Sequence, residues 1–271
     1  MNRKSLAIGL ALSSMIVLGS GKADAGEIPS KGSTAALLVT GLEGATGSTV
    51  GPDGALYVTE GAVGKVSRVD PRTGAITTFA SGLPKSIIGI GGAIDVAFIG
   101  KTAYVLVTLV CFNVGCSNAN GIYRVDGPGS FTLIADISEF NLNNPPTIPF
   151  PIEAPTGVQY ALQPYRGGFL VTDGHLNRVL RVTLDGKVTE VIAFGNIVPT
   201  GLAVSGALVF MAEAGPVPHL PEDGKVVVFL PKWPFAIEVA SGAKSNHTTL
   251  AHCLPQPLML SVAHRAKSKH A

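Results

Sequence analysis

Gly54-Ala55-Leu56-Tyr57-Val58-Thr59-Glu60, a short turn, then Lys65-Val66-Ser67-Arg68-Val69-Asp70-Pro71 is the stretch whose reading decides the fold. A glycine opens an apolar strand that closes on a carboxylate. After a turn, a Val-rich strand runs into Asp-Pro, and Pro and Gly fall where tight turns favour them, in Gly51-Pro52-Asp53-Gly54 and again from Asp70 to Gly74. The same grammar returns in Gly168-Phe169-Leu170-Val171-Thr172-Asp173 followed by Asn177-Arg178-Val179-Leu180-Arg181-Val182-Thr183. Looser copies hold Ala103-Tyr104-Val105 with Ile122-Tyr123-Arg124-Val125-Asp126, and Leu208 to Glu213 with Lys225 to Phe229. Pro-Thr-Gly opens two successive copies, at Pro155 and at Pro199. Repeats of roughly 40–50 residues, each with about four short strands, predict an all-β fold, a β-propeller.

The copies divide the chain into blades of about 41–84, 85–140, 154–197 and 198–243. A Pro- and Asn-rich connector from Asn141 separates the second blade from the third and is unsuited to a central strand. Beyond Ala243 the strand–turn alternation stops. No Asp or Glu follows Glu238, and residues 244–271 are basic and hold His247, His252, His264 and His270 of the chain's 6 histidines. Blades of this size more often come in sixes, so the expectation is a ring of six-bladed ancestry that is incomplete at its C-terminus. Two readings of the tail stand: a replaced or frameshifted terminus, which makes the chain a truncated product, or a genuine basic tail.

Residues 1–25 read as an export signal. Arg3 and Lys4 precede the apolar run Leu6 to Leu18, and Ala23-Asp24-Ala25 offers a cleavage site before Gly26. The apolar run is shorter than the ~18–20 residues of a membrane span, so the mature chain is expected to be periplasmic or secreted, without a span. Arg3, Lys4, Lys22 and Asp24 carry a net +2, the whole formal charge of the chain, and leave the remainder formally neutral. Its body has no clustered basic face of the kind nucleic-acid binding requires. Of 3 cysteines, Cys111 and Cys116 could close a small loop in an oxidising compartment or remain free thiols; Cys253 lies in the tail.

The strings Gly-Pro-Asp-Gly-Ala-Leu-Tyr-Val-Thr-Glu from Gly51, Gly-Lys-Val-Ser-Arg-Val-Asp-Pro-Arg-Thr-Gly from Gly64, Asn-Gly-Ile-Tyr-Arg-Val-Asp from Asn120 and Pro-Glu-Asp-Gly-Lys-Val-Val-Val-Phe from Pro221 resemble the ScyD/ScyE family. Its members are exported bacterial propellers in the style of NHL-repeat proteins, some encoded with scytonemin pigment biosynthesis. The resemblance covers about residues 35–243 and brings no catalytic residues to carry over. It implies a binding or accessory module for a small molecule or a protein, acting in secondary-metabolite assembly.

Aligned repeats place Glu60, Asp173 and Glu213 at one strand-end position, with Val107 there in the second blade, followed by Thr108. Converging carboxylates would suit Ca²⁺, a hard cation that takes oxygen ligands, and His175 could then act as a general base. That is the alternative reading, a calcium-dependent hydrolase of the lactonase kind or a strictosidine-synthase-like enzyme. The competing reading makes each carboxylate a turn cap bonded to backbone N–H groups. Arg68, Arg124, Arg178 and Arg181 could pair with carboxylates across blades, or simply be solvated at the surface. A Gly-x-Ser-x-Gly elbow, a His-Glu-x-x-His motif and a phosphate-binding loop are absent from the sequence.

Overall fold

The computed structural model describes residues 36–112, 116–147, 154–217, 219–233 and 235–241. The export signal and the basic tail lie outside them. Sixteen strands form four antiparallel four-stranded sheets, each in simple chain order. Blade 1 holds β1 (Ala45–Val50), β2 (Leu56–Glu60), β3 (Lys65–Val69) and β4 (Ile76–Ser81). Blade 2 holds β5 (Gly92–Ile99), β6 (Thr102–Thr108), β7 (Gly121–Gly127) and β8 (Ser130–Asp136). Blade 3 holds β9 (Gln159–Tyr165), β10 (Gly168–Asp173), β11 (Arg178–Thr183) and β12 (Val188–Ala193). Blade 4 holds β13 (Pro199–Ser205), β14 (Leu208–Glu213), β15 (Lys225–Phe229) and β16 (Ala236–Ser241). The protein is a four-bladed β-propeller.

The first strand of each blade adjoins that of the next, in the order β1, β5, β9, β13; among the described residues β13 and β1 do not adjoin in this way. Alternation along each strand sends one set of apolar side chains forward to the following blade and the other set back. Tyr57 of blade 1 thus meets Phe98 of blade 2 edge-on, with ring centroids 4.8 Å apart, and Tyr104 of blade 2 lies 5.0 Å from Phe169 of blade 3. Leu170 and Val179 of blade 3 pack with Met211, Val227 and Phe229 of blade 4. The core is therefore three blade–blade seams, with a further cluster where Leu38, Val39 and Leu42 pack on Leu56, Val58 and Val69 of blade 1.

Polar bonds pin the seams near the axis. The Thr46 hydroxyl donates to the Ala93 carbonyl (3.3 Å), and the Thr172 hydroxyl to that of Thr200 (2.7 Å). Between blades 2 and 3, the Leu162 amide donates to Asp95 Oδ2 (2.8 Å). In the turn before β2, Gly54 adopts φ +77°, the left-handed region that glycine enters without steric cost. Asp53 there accepts from the Ala55 amide and from Arg68 Nε at 2.7 Å.

The connector after blade 2 is no strand: the chain there forms a helix, α1 (Ile137–Asn143), capped by Asp136, whose carboxylate accepts the Glu139 amide at 2.8 Å. Of the two readings of the arginines, pairing across blades is not what the structure has: their partners lie inside their own blades, and Arg68 and Arg124 stay part-exposed. Arg68 meets Asp53, Arg124 meets Asp126 at 2.6 Å, and Arg181 donates to the carbonyls of Tyr165 and Arg166. Each lies on a third strand, where the nearest acceptors are the turns and cross-strand neighbours of the same sheet.

Candidate functional site

Glu60, Asp173 and Glu213 each close the second strand of a blade, and in strand register each faces a cation: Lys65, Arg178 and Lys225. Blade 2 has Val107 opposite Gly121 at this place. The common position does not make a common site. Among the described residues, no three His, Cys, Asp or Glu side chains are grouped as metal ligands.

Glu60 is wholly buried and fully engaged. Its Oε2 accepts the Glu43 amide at 2.7 Å, while Oε1 takes the Ser67 hydroxyl and an ion pair with Lys65 at 3.2 Å. Burial pushes this carboxyl up, but the Glu43 amide, Ser67 and Lys65 together hold it below the usual range. Both oxygens are thus engaged by neighbouring protein groups, one of them a backbone amide, which is the bonding a turn cap makes. Glu213 lies apart from any such bonds: Lys225 opposite it is drawn to Glu238 at 2.9 Å. Burial raises the Glu213 carboxyl to about 7, with Lys225 opposing and Glu238 reinforcing.

Asp173 sits in a buried polar network at the junction of blades 2 and 3. Its Oδ2 accepts Asn141 Nδ2 of α1 at 2.7 Å and lies 3.8 Å from Arg178 Nε. Arg178 is itself buried, donates to Asn141 Oδ1 (2.8 Å) and the Asn144 carbonyl (2.9 Å), pairs with Glu190 (3.2 Å), and lies over the Phe140 ring. Gln159 at the start of β9 bridges the seam, donating to the Thr156 carbonyl and accepting the Thr108 hydroxyl at 2.9 Å. Oδ1 of Asp173 has no hydrogen-bond partner of normal geometry. A Cβ on Gly157, which has φ +74°, would lie 2.3 Å from that oxygen and 2.5 Å from the amide nitrogens of Asn141 and Gln159. Burial raises the Asp173 carboxyl to about 6 against the pull of Arg178 and Asn141.

Beside this network, on the side of the ring that carries the blade-to-blade connections, aromatic and imidazole groups gather. Leu109, Ala154 and Val158 form a small apolar cluster with Phe112 and Tyr160 packed on it. The Tyr160 ring lies over the backbone of Gly174, where a Cβ would come within 2.4 Å of it, and 6.3 Å from the ring of His175. Burial and the nearby Asp173 charge raise the Tyr160 phenol. Burial lowers His175, and its neighbour His219 lowers it further, both favouring the neutral imidazole. His219 bonds through Nδ1 with the Gly215 carbonyl and holds a left-handed φ of +67°. His175 is thus grouped with Tyr160 and His219. Cys111 and Cys116 are joined in a disulfide, with Cα atoms 5.7 Å apart, next to Phe112.

Asn141, Gln159, Tyr160 and His219 carry no signal in the repeat pattern. Each falls outside the second and third strands that the repeats align, and acquires its place only when neighbouring blades dock. Asn120 is the exception that a pattern could have found. Like Asn177, it directly precedes a third strand, and both use the side-chain oxygen to hold two successive amides: Val110 and Cys111 for Asn120, Ile197 and Val198 for Asn177.

No family model matches the chain, and no curated protein matches it in sequence. Solved structures do share its fold. A gluconolactonase of Xanthomonas campestris is 11% identical, with 75% of this chain and 64% of that one covered at a TM-score of 0.50. Virginiamycin B lyase of Staphylococcus aureus is 15% identical, with 73% and 56% covered at 0.49. A computationally designed protein, Ika4, is 9% identical, with 73% and 99% covered at 0.42. The chain spans less than two thirds of the length of both natural proteins, and at these identities the likeness is one of fold.

Proposed function

We propose that this protein is an exported propeller that binds a flat, weakly charged aromatic molecule on the connection-bearing side of the ring. One observation carries the reading: Phe112, Tyr160 and His175, whose imidazole burial shifts toward the neutral form, are gathered beside His219, while Glu60 is engaged in internal bonds. Aromatic side chains and neutral imidazoles offer stacking faces without a charge to desolvate. The resemblance to ScyD/ScyE proteins supports placing the ligand in secondary-metabolite chemistry, and the leader supports a site of action outside the cytoplasm. Among the described residues no helix is long and apolar enough to cross a membrane.

Indole is the first probe. Titrated into the protein at pH 7.5, it is expected to shift the side-chain NMR signals of His175 and Tyr160, and Tyr160→Ala is expected to weaken binding about tenfold, as loss of one stacked ring does. Saturable binding that Tyr160→Ala leaves unchanged would place the ligand elsewhere.

A second reading, a hydrolase of the lactonase kind, is favoured by the carboxyls of Asp173 and Glu213, raised to about 6 and about 7. Groups that titrate near neutrality suit general acid–base work. Calcium would have only Asp173 Oδ1 as a free carboxylate oxygen in the Asp173 network, which is a poor fit for a cation that takes 6–8 ligands. Hydrolysis of γ-butyrolactone that is lost in Asp173→Asn would establish this reading; a wild type inert to the lactone, with a melting temperature unmoved by calcium or EGTA, would remove it.

A further inference from the structure

Blades 1, 2 and 3 each cover their forward face with the next blade, and strand register makes the four faces directly comparable. The forward row across the second, third and fourth strands is Tyr57–Arg68–Thr77 in blade 1 and Tyr104–Arg124–Thr132 in blade 2. In blade 3 it is Leu170–Arg181–Thr189. In blade 4 the same row reads Phe210–Val228–Ile237. Three blades thus keep an Arg–Thr pair at the outer rim, and blade 4 replaces it with two branched aliphatics.

That replacement is informative because the rim stays wet even under a docked blade. Thr77, Thr132 and Thr189 are exposed, and the Arg124 side chain is 42% exposed, although each has a following blade beside it. The bulged residue of the outermost strand behaves differently. Phe79, Ile134 and Val191 are each partly buried in a blade–blade seam. Their counterpart Val239 is 51% exposed, beside Ile237 at 58% and Leu208 at 43%.

Alternation sends Val209, Met211, Val227 and Phe229 back onto blade 3 and leaves the cross-strand pairs Ala212–Val226 and Phe210–Val228 forward, the first pair buried and the second half-buried, with Ile237 and Val239 exposed beyond them. No charged side chain of the four strands points forward: Glu213, Lys225 and Glu238 all follow the backward alternation. Trp233 and Phe235, both about half exposed, lie in the connection from β15 to β16.

We infer that this face joins two copies of the chain, blade 4 against blade 4 about a two-fold axis. A blade-shaped cover leaves the rim solvated, as the first three blades show, and gives no reason for Val228 and Ile237 there. A second copy laid face to face reaches the rim, and two apolar sheet faces pack about 10 Å apart in this manner. In a two-fold contact the same patch serves both sides, so residues near the axis meet their own copies. A charged face would oppose like charges there; this uncharged one does not. Contiguous apolar surface of this kind marks association sites.

The test is sedimentation equilibrium of the full chain at 0.15 M NaCl, with thermal melts by circular dichroism run alongside. The wild type is expected to sediment at twice the chain mass. Val228→Arg together with Ile237→Thr restores the row that the other blades carry and is expected to weaken the dimer by more than about tenfold, with a melt that stays cooperative and falls only toward that of the wild type diluted to monomer. Ile76→Lys, an exposed site outside the face, is expected to leave the dimer intact. If the double variant does not fold, Ile237→Thr alone reports the same loss. A monomeric wild type overturns the proposal, as does a dimer indifferent to these substitutions. So does an Ile237→Cys thiol that resists alkylation in a monomer, since the chain itself would then cover the face.

Discussion

Gly157 faces a tighter constraint than any catalytic proposal places on the Asp173 network. Its positive φ already disfavours a side chain, and a Cβ would press within 2.5 Å of Asp173 and Asn141, which join α1 to blade 3, and of Gln159, which bonds Thr156 and Thr108. Those groups cannot retreat without breaking the Asn141–Asp173 bond and exposing the buried Arg178 to a poorer partner. Gly157→Ala is therefore expected to destabilise the fold by about 3 kcal/mol or more, the range of strain at a special φ combined with a broken buried network. For a domain of this size that lowers the melting temperature by roughly 6–12 °C. A melt within a degree of wild type would mean the network relaxes freely. Little of this was legible in advance. Asp173 was visible as the end of a repeated strand, but Asn141 and Gln159 were not, because the sequence does not say which loop residue a neighbouring blade will meet.

At the scale of elements, the strands were legible and the connectors were not. Val-rich third strands flanked by Asp-Pro or Gly turns impose a period of two that survives docking, so β2, β3, β10 and β11 follow the repeat directly. The α1 segment, Ile-Ser-Glu-Phe-Asn-Leu-Asn, has too few residues to show a helical period and lies against a Pro-rich run, yet Asp136 caps it and Ile137 is buried beneath it. The spacing of Cys111 and Cys116 left their bond open, and the loop geometry closes it. The loop is short, so the entropy removed from the unfolded chain is modest, about 2 kcal/mol. Cys111→Ser with Cys116→Ser is expected to lower the melting temperature by roughly 4–8 °C. Because Phe112 sits inside that loop, the same variant is expected to weaken indole binding, which calorimetry at matched temperature would show. Unchanged binding would separate the loop from the site.

At the scale of the whole molecule, the blade count and the order of blades were legible because the repeat is a property of the entire chain, while the summed electrostatics were not. Asp95, Asp173 and Glu213 carry no unusual sequence context, but burial in the seams raises them to about 7, about 6 and about 7. The sign follows from linkage. Each folded value lies above the unfolded one, so between about pH 4 and pH 7 the native state binds more protons than the unfolded chain and stability falls as pH rises. Glu60, held below its usual range, has the opposite sign, and its contribution is lost only as pH drops through the acid range. The melting temperature is therefore expected to pass through a maximum in mildly acidic solution and to decline toward pH 8. Glu213 tests the cause most cleanly, because Lys225 is drawn away to Glu238 and Gln fills the same volume without a charge. Glu213→Gln is expected to leave the melt unchanged near pH 4.5 and to raise it by several degrees at pH 8, flattening that side of the profile. A variant whose profile runs parallel to wild type from pH 4.5 to 8 would mean that Glu213 is ionised and solvated in the folded protein, and that the decline belongs to Asp95 and Asp173 alone.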